Sequence, residues 1–387
     1  MRSTRWIWAV ALSVLAGVAI WTARLHPTVA DIEYDWLSAY GGLHSSAYLP
    51  PEEIAADIGE EVTVLLPSGA TGAANPRTPG AVLIDLPLLL APFDSIYAIW
   101  FGLNVGMAVL LVGAWPTIGV RRSWIWGMTA AVSMPMISTL YFGGQATFVA
   151  LLVLGAWLAA EGDQDLLAGL MLAAAVCLKV WPAVFLVAWL VHRRRRAVMY
   201  GLAGIAGLTL AGLALPGVDL VSALEALGNG AGTWIGLGAN ASLPALLSMA
   251  GVPALMATAA AAAAIGLGFW WLHRTYPRSL ASPWPWLIGG LLIVPLSWAS
   301  YDVILLPLAI ALAISADARL HLAGLGALLA WILLPGLHLI YGVEMHTGWL
   351  ELAVRVVLMS GALRMAVLRG DSSPMPSRSM EARSSVG

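Results

Sequence analysis

Near-continuous apolar stretches, many of them about as long as a membrane crossing, recur from residue 6 to residue 368. A hydrocarbon core of ~30 Å takes about 20 apolar residues of helix. Inside that core no water can satisfy a backbone N–H or C=O, so each segment must satisfy its own, as an α-helix does. With 60% hydrophobic and only 10% charged residues, the chain reads as an all-α polytopic membrane protein.

The apolar runs predict spans near residues 6–24, 96–116, 124–140, 146–160, 166–178, 180–191, 198–215, 253–272, 284–297, 302–315, 319–341 and 347–368. That is a bundle of about twelve transmembrane helices, with eleven or thirteen as neighbouring counts. Several are short: residues 166–178 would extend only about 20 Å at 1.5 Å per residue. Such pieces must bend, re-enter or lean on neighbours around a polar cavity. Arg2 and Arg5 precede the first run, which reads as an uncleaved span rather than a signal peptide because no clean small-residue cleavage site follows. Residues 1–370 read as one transmembrane domain, and the Ser-, Pro- and Arg-rich residues 371–387 as a disordered cytoplasmic tail.

Orientation follows from arginine. An N-terminus placed inside puts 15 of the 19 basic residues on the cytoplasmic side, including four consecutive arginines at 193–196, as the positive-inside rule expects. Both termini are then cytoplasmic. Joining residues 166–191 into one long span would send that arginine run outside, so two short segments are preferred. Two extracytoplasmic loops result, a long first one at about 25–79 and a second at about 215–251. Between them, residues 79–92 form a short apolar stretch interrupted by Asp85 and Pro87, which reads as a re-entrant or interfacial helix.

Several function classes drop out. The single cysteine, Cys177, cannot build a disulfide framework or a thiolate metal site. Topology and anionic lipid explain the arginine run, so nothing points to nucleic acid. No repeat at a solenoid or propeller period is visible, and the glycines lack the strand-turn-helix context of a nucleotide loop. Oligomeric state is unreadable.

Four cations remain outside the inner face: Arg24, Arg77, Lys179 and Arg355. Charge within or beside a membrane is costly and is either paired or functional. Lys179 stands at the joint of the two short segments, before Val180, Trp181 and Pro182. Arg355 follows Glu351 by four residues, the favourable order for a helical ion pair. Arg77 lies in a rigid turn between Pro76 and Pro79.

Acids concentrate opposite. Ten of the 21 lie between Asp31 and Asp94, beginning with Asp31, Glu33 and Asp35. In a helix Asp31 and Asp35 share a face while Glu33 points away. One carboxylate can then act as general base on a sugar hydroxyl while Lys179 or Arg77 stabilises a departing phosphate. The plainer alternative is that these acids only favour a helix start.

The order of short elements along residues 5–310 resembles the bacterial integral-membrane glycosyltransferases of the GT-C class, in particular glycosyltransferase family 87. These are polyprenol-phosphate-mannose-dependent mannosyltransferases and related arabinofuranosyltransferases. The elements are Asp31 to Tyr34 with Ser38 and Ala39; Arg77, Thr78 and Pro79 followed by Pro87 and Pro92; Gly144 with Gln145; Lys179 with Pro182; Asn240, Ser242 and Leu243; and Pro295, Ser297 and Trp298. Two departures stand out. Arg77-Thr78-Pro79 replaces a frequent Tyr-Pro-Pro, and Asp302 stands near where the family often has a histidine, for which His338 or His346 is a substitute.

The resemblance implies a GT-C type bundle that moves a sugar from a polyprenyl-phosphate donor to a glycolipid or glycan acceptor on the outer face of the cell membrane, with inversion. It implies no metal or other cofactor. Asp31 is the expected base and Asp35 the runner-up; Lys179 and, from the charge count rather than a residue match, Arg77 are the candidates for the donor phosphate, and Tyr34, Gln145, Asn240 and Ser242 are candidates for the substrate site. The rival class is a secondary transporter or flippase, since about twelve spans with broken helices describe those as well. Unlike the two related halves usual in that class, only the first half here carries a fifty-residue outer loop.

Overall fold

The computed structural model describes residues 30–60, 62, 76–113, 129–235, 240–341 and 348–371. The expected first span, the 371–387 tail beyond its first residue, and His346 lie outside the described residues, as does the side chain of His338. Every regular element among the described residues is helical.

Chain order runs α1 (Asp31–His44), α2 (Pro51–Asp57), α3 (Pro79–Asp85) with a 3-10 turn Leu86–Leu90, α4 (Phe93–Gly113), α5 (Met134–Phe142), α6 (Ala146–Glu161) and α7 (Asp165–Leu178). The 3-10 turn Trp181–Ala183 leads to α8 (Val184–Val191), α9 (Arg195–Leu213), α10 (Leu220–Trp234), α11 (Leu243–Met249), α12 (Ala254–Thr275) and α13 (Pro283–Ile293). The 3-10 segment Ala299–Leu305 then leads to α14 (Leu306–Ala313), α15 (Ala318–Tyr341) and α16 (Gly348–Asp371).

Among the described residues three helices are long and apolar enough to cross a membrane: Phe93–Leu111, Arg195–Leu213 and Ala254–Thr275. A fourth crossing arises if α5 and α6, bent by 118°, count as one broken span. Expected and observed boundaries agree within a few residues for α6, α7, α9 and α16. The two segments expected as outer loops are partly helical. The first contains α1 and α2, and the second contains α10 and α11, because a connecting segment still has to pair its backbone polar groups.

Proline sets most of the breaks. Pro51, Pro79, Pro135, Pro182, Pro244 and Pro307 all sit in the first turn of a helix or 3-10 turn, where a missing N–H costs nothing. Thr78 and Ser242 cap α3 and α11 by accepting from the N–H of Ala81 and of Ala245, each at 3.1 Å. At the other end of α5, Gly143 closes the helix at φ +63°, a left-handed conformation natural to glycine.

The elements bearing the site are held by close packing. Gly169 of α7 lies against Tyr200 and Gly201 of α9, so that a Cβ there would fall 2.5 Å from that of Tyr200. Gly212 of α9 meets the backbone of Pro79, and Gly80 meets Cys177 Sγ. Thr78 Oγ1 donates to the Cys177 carbonyl at 2.7 Å. The start of α3 is thereby pinned to the last turn of α7, immediately before Lys179.

Candidate active site

Residue 145 is the corner between α5 and α6, and its side chain turns into the protein. Gln145 Nε2 donates to Asp35 Oδ2 at 2.8 Å and to Asp85 Oδ1 at 2.7 Å. Arg77 ion-pairs with Asp35 Oδ1 and donates weakly to the Leu178 carbonyl at 3.5 Å. All four side chains are buried, with exposures of 1% for Asp35, 4% for Arg77, 3% for Asp85 and 2% for Gln145. The knot ties α1, the turn before α3, the end of α3 and the start of α6 to one another. Burial, opposed by the Arg77 guanidinium, pushes the Asp85 carboxyl above its ordinary range.

Asp31 stands one helical turn before Asp35 and is exposed. Its Oδ2 lies against Gly144, 3.1 Å from where a Cβ would stand. The Gly144 backbone is itself fixed, since its carbonyl accepts from Trp100 Nε1 at 3.3 Å and Asn104 Nδ2 at 3.2 Å. Tyr34 is half-buried, and burial with the nearby carboxylates of Glu52 and Asp31 raises its phenol well above the ordinary value. Glu33 turns back to accept from the Ala30 N–H at 2.6 Å, the helix-start role.

Lys179 ends α7 in an extended conformation, φ −145° and ψ 126°. It is half-buried, with its ammonium 5.5 Å from the centre of the Tyr301 ring. Its field also bears on Asp85, whose ionised form it favours.

A second knot holds the remaining expected site residues. Asn240 Nδ2 donates to the Pro295 carbonyl at 2.7 Å, while its Oδ1 accepts from the Ser297 N–H at 3.0 Å. Ser242 Oγ donates to the Pro295 carbonyl at 3.3 Å. Asp302 pairs with Arg355, whose other donors reach the Ala241 carbonyl, Ser297 Oγ at 2.8 Å and the Trp298 carbonyl at 3.3 Å. Asn240, Ser242 and Asp302 are thus buried in a support for residues 294–301, which carries Tyr301 over Lys179. The carboxylate on Arg355 is Asp302, not the Glu351 of the i,i+4 pattern.

The structure therefore brings Asp31, Asp35, Arg77 and Gln145 together, with Lys179 nearby, and adds Asp85. Sequence reading saw Asp85 only as an interruption of an apolar run. A charge in such a run was the available signal. Among the described residues no group of three His, Cys, Asp or Glu side chains could hold a metal ion.

The family model of glycosyltransferase family 87 matches residues 78–295. Gln145, Asp85, Lys179, Asn240 and Ser242 lie within the matched stretch, while Asp31, Asp35 and Arg77 precede it. A comparison with curated proteins finds no match. The match covers more than half of the chain, the transporter reading gives way, and this membrane protein belongs to glycosyltransferase family 87.

Proposed function

We propose that the protein transfers a mannosyl or arabinofuranosyl residue from a polyprenyl-phosphate donor to a glycolipid or cell-envelope glycan acceptor, with inversion, at the outer face of the cell membrane. Both termini and the arginine run then face the cytoplasm, in a bundle of about twelve spans. One observation carries the assignment of the base: Asp31 is exposed beside the Gly144 backbone, whereas Asp35 on the same helix face is shut behind Arg77 and Gln145.

In this reading Asp31 takes the proton of the acceptor hydroxyl as that oxygen attacks the anomeric carbon. The bond from that carbon to the phosphate oxygen breaks, and its electron pair leaves with the lipid phosphate. Lys179 supplies the positive charge that the departing phosphate needs. Arg77, bound to Asp35, contributes to the local potential and holds the base helix. Tyr34 lies beside Asp31, where the sugar would be placed.

Membranes containing the protein are given radiolabelled decaprenyl-phosphate-mannose or decaprenyl-phosphate-arabinose, beside membranes carrying Asp31→Ala. One donor is expected to yield a labelled glycolipid, and the substitution to abolish it. Retention in Asp31→Ala with loss in Asp35→Ala would move the base by one turn. Transfer from neither donor would overturn the donor class.

A further inference from the structure

We propose that Asp85 is a positioning residue, which acts through the amide of Gln145 to fix the 143–145 corner against α1 and so determines where the Asp31 carboxylate stands. The proposal rests on the reading of Asp31 as the base. Asp85 is 97% shielded from solvent.

The geometry is a single-nitrogen tie. Gln145 Nε2 has two hydrogens, and both are used, one on Asp35 and one on Asp85. These two acceptors come from segments fifty residues apart in sequence, and Gln145 comes from a third. Gly144, next to Gln145, forms the surface against which Asp31 Oδ2 rests. A shift of Gln145 therefore passes to the Asp31 site by one peptide unit and, through Asp35, by one helical turn.

The cost of the arrangement argues against a role in stability alone. Asp85 Oδ2, Gln145 Oε1 and Arg77 Nε are all buried without a hydrogen-bond partner. Unsatisfied buried polar atoms destabilise, and apolar side chains of similar shape would pack the same space at lower cost. Groups kept at such a cost cluster where geometry serves function. Asp85 Oδ1 supplies one acceptor position, and an asparagine would reproduce that acceptor without the charge.

The test uses the full chain in membranes, with Asp85→Ala, Asp85→Asn, Gln145→Ala and the Asp85→Ala/Gln145→Ala pair, assayed with the same two labelled donors. Asp85→Ala is expected to lower kcat roughly 10- to 100-fold, with the donor KM within about threefold. Asp85→Asn is expected to recover most of that loss, and the double variant to be no worse than the poorer single one. A readout independent of transfer is the rate at which a membrane-impermeant maleimide labels Asp31→Cys. It is expected to change when Asp85 is alanine and to stay as in the parent when it is asparagine. If Asp85→Ala does not accumulate, Asp85→Ser, too short to reach Gln145, replaces it. Equal damage from asparagine and alanine, additive losses in the double variant, a rise in KM alone, or labelling indifferent to Asp85 would each overturn the proposal. Absence of transfer from both donors would remove the donor assignment, while the labelling rates would still decide the role of Asp85.

Discussion

Arg355 Nε donates to Asp302 Oδ1 at 2.7 Å in a site where neither side chain exposes surface to solvent. The same guanidinium holds the Ala241 and Trp298 carbonyls and Ser297 Oγ, so one side chain of α16 fixes the segment between α13 and the 3-10 turn at 299–305. Arg355→Ala would leave Asp302 without its cation in the interior. Breaking a buried pair in this way costs about 3–5 kcal/mol. The expected outcome is a large fall in the melting temperature of the detergent-solubilised protein. Arg355→Leu/Asp302→Leu, which removes both charges, should recover part of it. Equal melting of wild type and Arg355→Ala would refute the account.

That pair also shows what the sequence withheld. Helix periodicity offered Glu351 as the partner of Arg355 because it is four residues away, whereas Asp302 is 53 residues away and approaches only through the break after α13. The short helices themselves were legible: proline, and a lysine before Trp181 and Pro182, mark the end of α7 at Leu178 within one residue of expectation. Asp31 and Asp35 on one face follow from the 3.6-residue period. What period alone does not give is which of two such carboxylates is enclosed, since that depends on Arg77 and Gln145 arriving from elsewhere. Asn240 and Ser242 were expected to touch substrate. Their polar atoms instead hold the 294–298 backbone and cap α11, and the Ser-Leu-Pro order at 242–244 was a readable cap signal.

Adjacent glycines at 143 and 144 should separate stability from activity. Gly143→Ala places a Cβ on a residue at φ +63°, 3.1 Å from the Tyr97 ring. A left-handed alanine costs roughly 1–2 kcal/mol, so a lower melting temperature is expected. Gly144→Ala meets only Asp31 Oδ2, also at 3.1 Å. Its melting temperature should stay close to wild type while kcat falls, because the carboxylate must move by a few tenths of an ångström. Reversed behaviour of the two variants would count against the placement of Asp31.

The proposed function gives Lys179 the departing donor phosphate, and that proposal predicts a change in transfer rather than in folding. Its contact with Tyr301 is worth about 0.5–1 kcal/mol at a half-exposed site, so Lys179→Ala should melt near wild type. A charge-assisted hydrogen bond to phosphate is worth roughly 1.5–3 kcal/mol, and kcat/KM for the donor should fall about 10- to 100-fold. Lys179→Arg keeps the charge and should lie between the two. An unchanged kcat/KM in Lys179→Ala would point to another cation for the phosphate.

Asp317 gives a pH dependence at the other end of the bundle, in the turn between α14 and α15. Arg364 of α16 binds it through Nε at 3.2 Å and Nη2 at 2.8 Å. The side-chain hydrogen bond from Arg364, followed by those of the Leu320 and Arg319 N–H groups, lowers its carboxyl from 3.8 to about 2. A depressed folded-state value means that the ionised form is stabilised by folding. That contribution is fully present above the unfolded-state pKa of about 3.9 and is lost as pH falls toward 2. Asp317→Asn should therefore melt below wild type at neutral pH, and the gap should close as pH drops through the interval between about 4 and 2. Melting curves of both proteins in detergent across that interval check the sign, and a gap that widens on acidification would contradict the pairing.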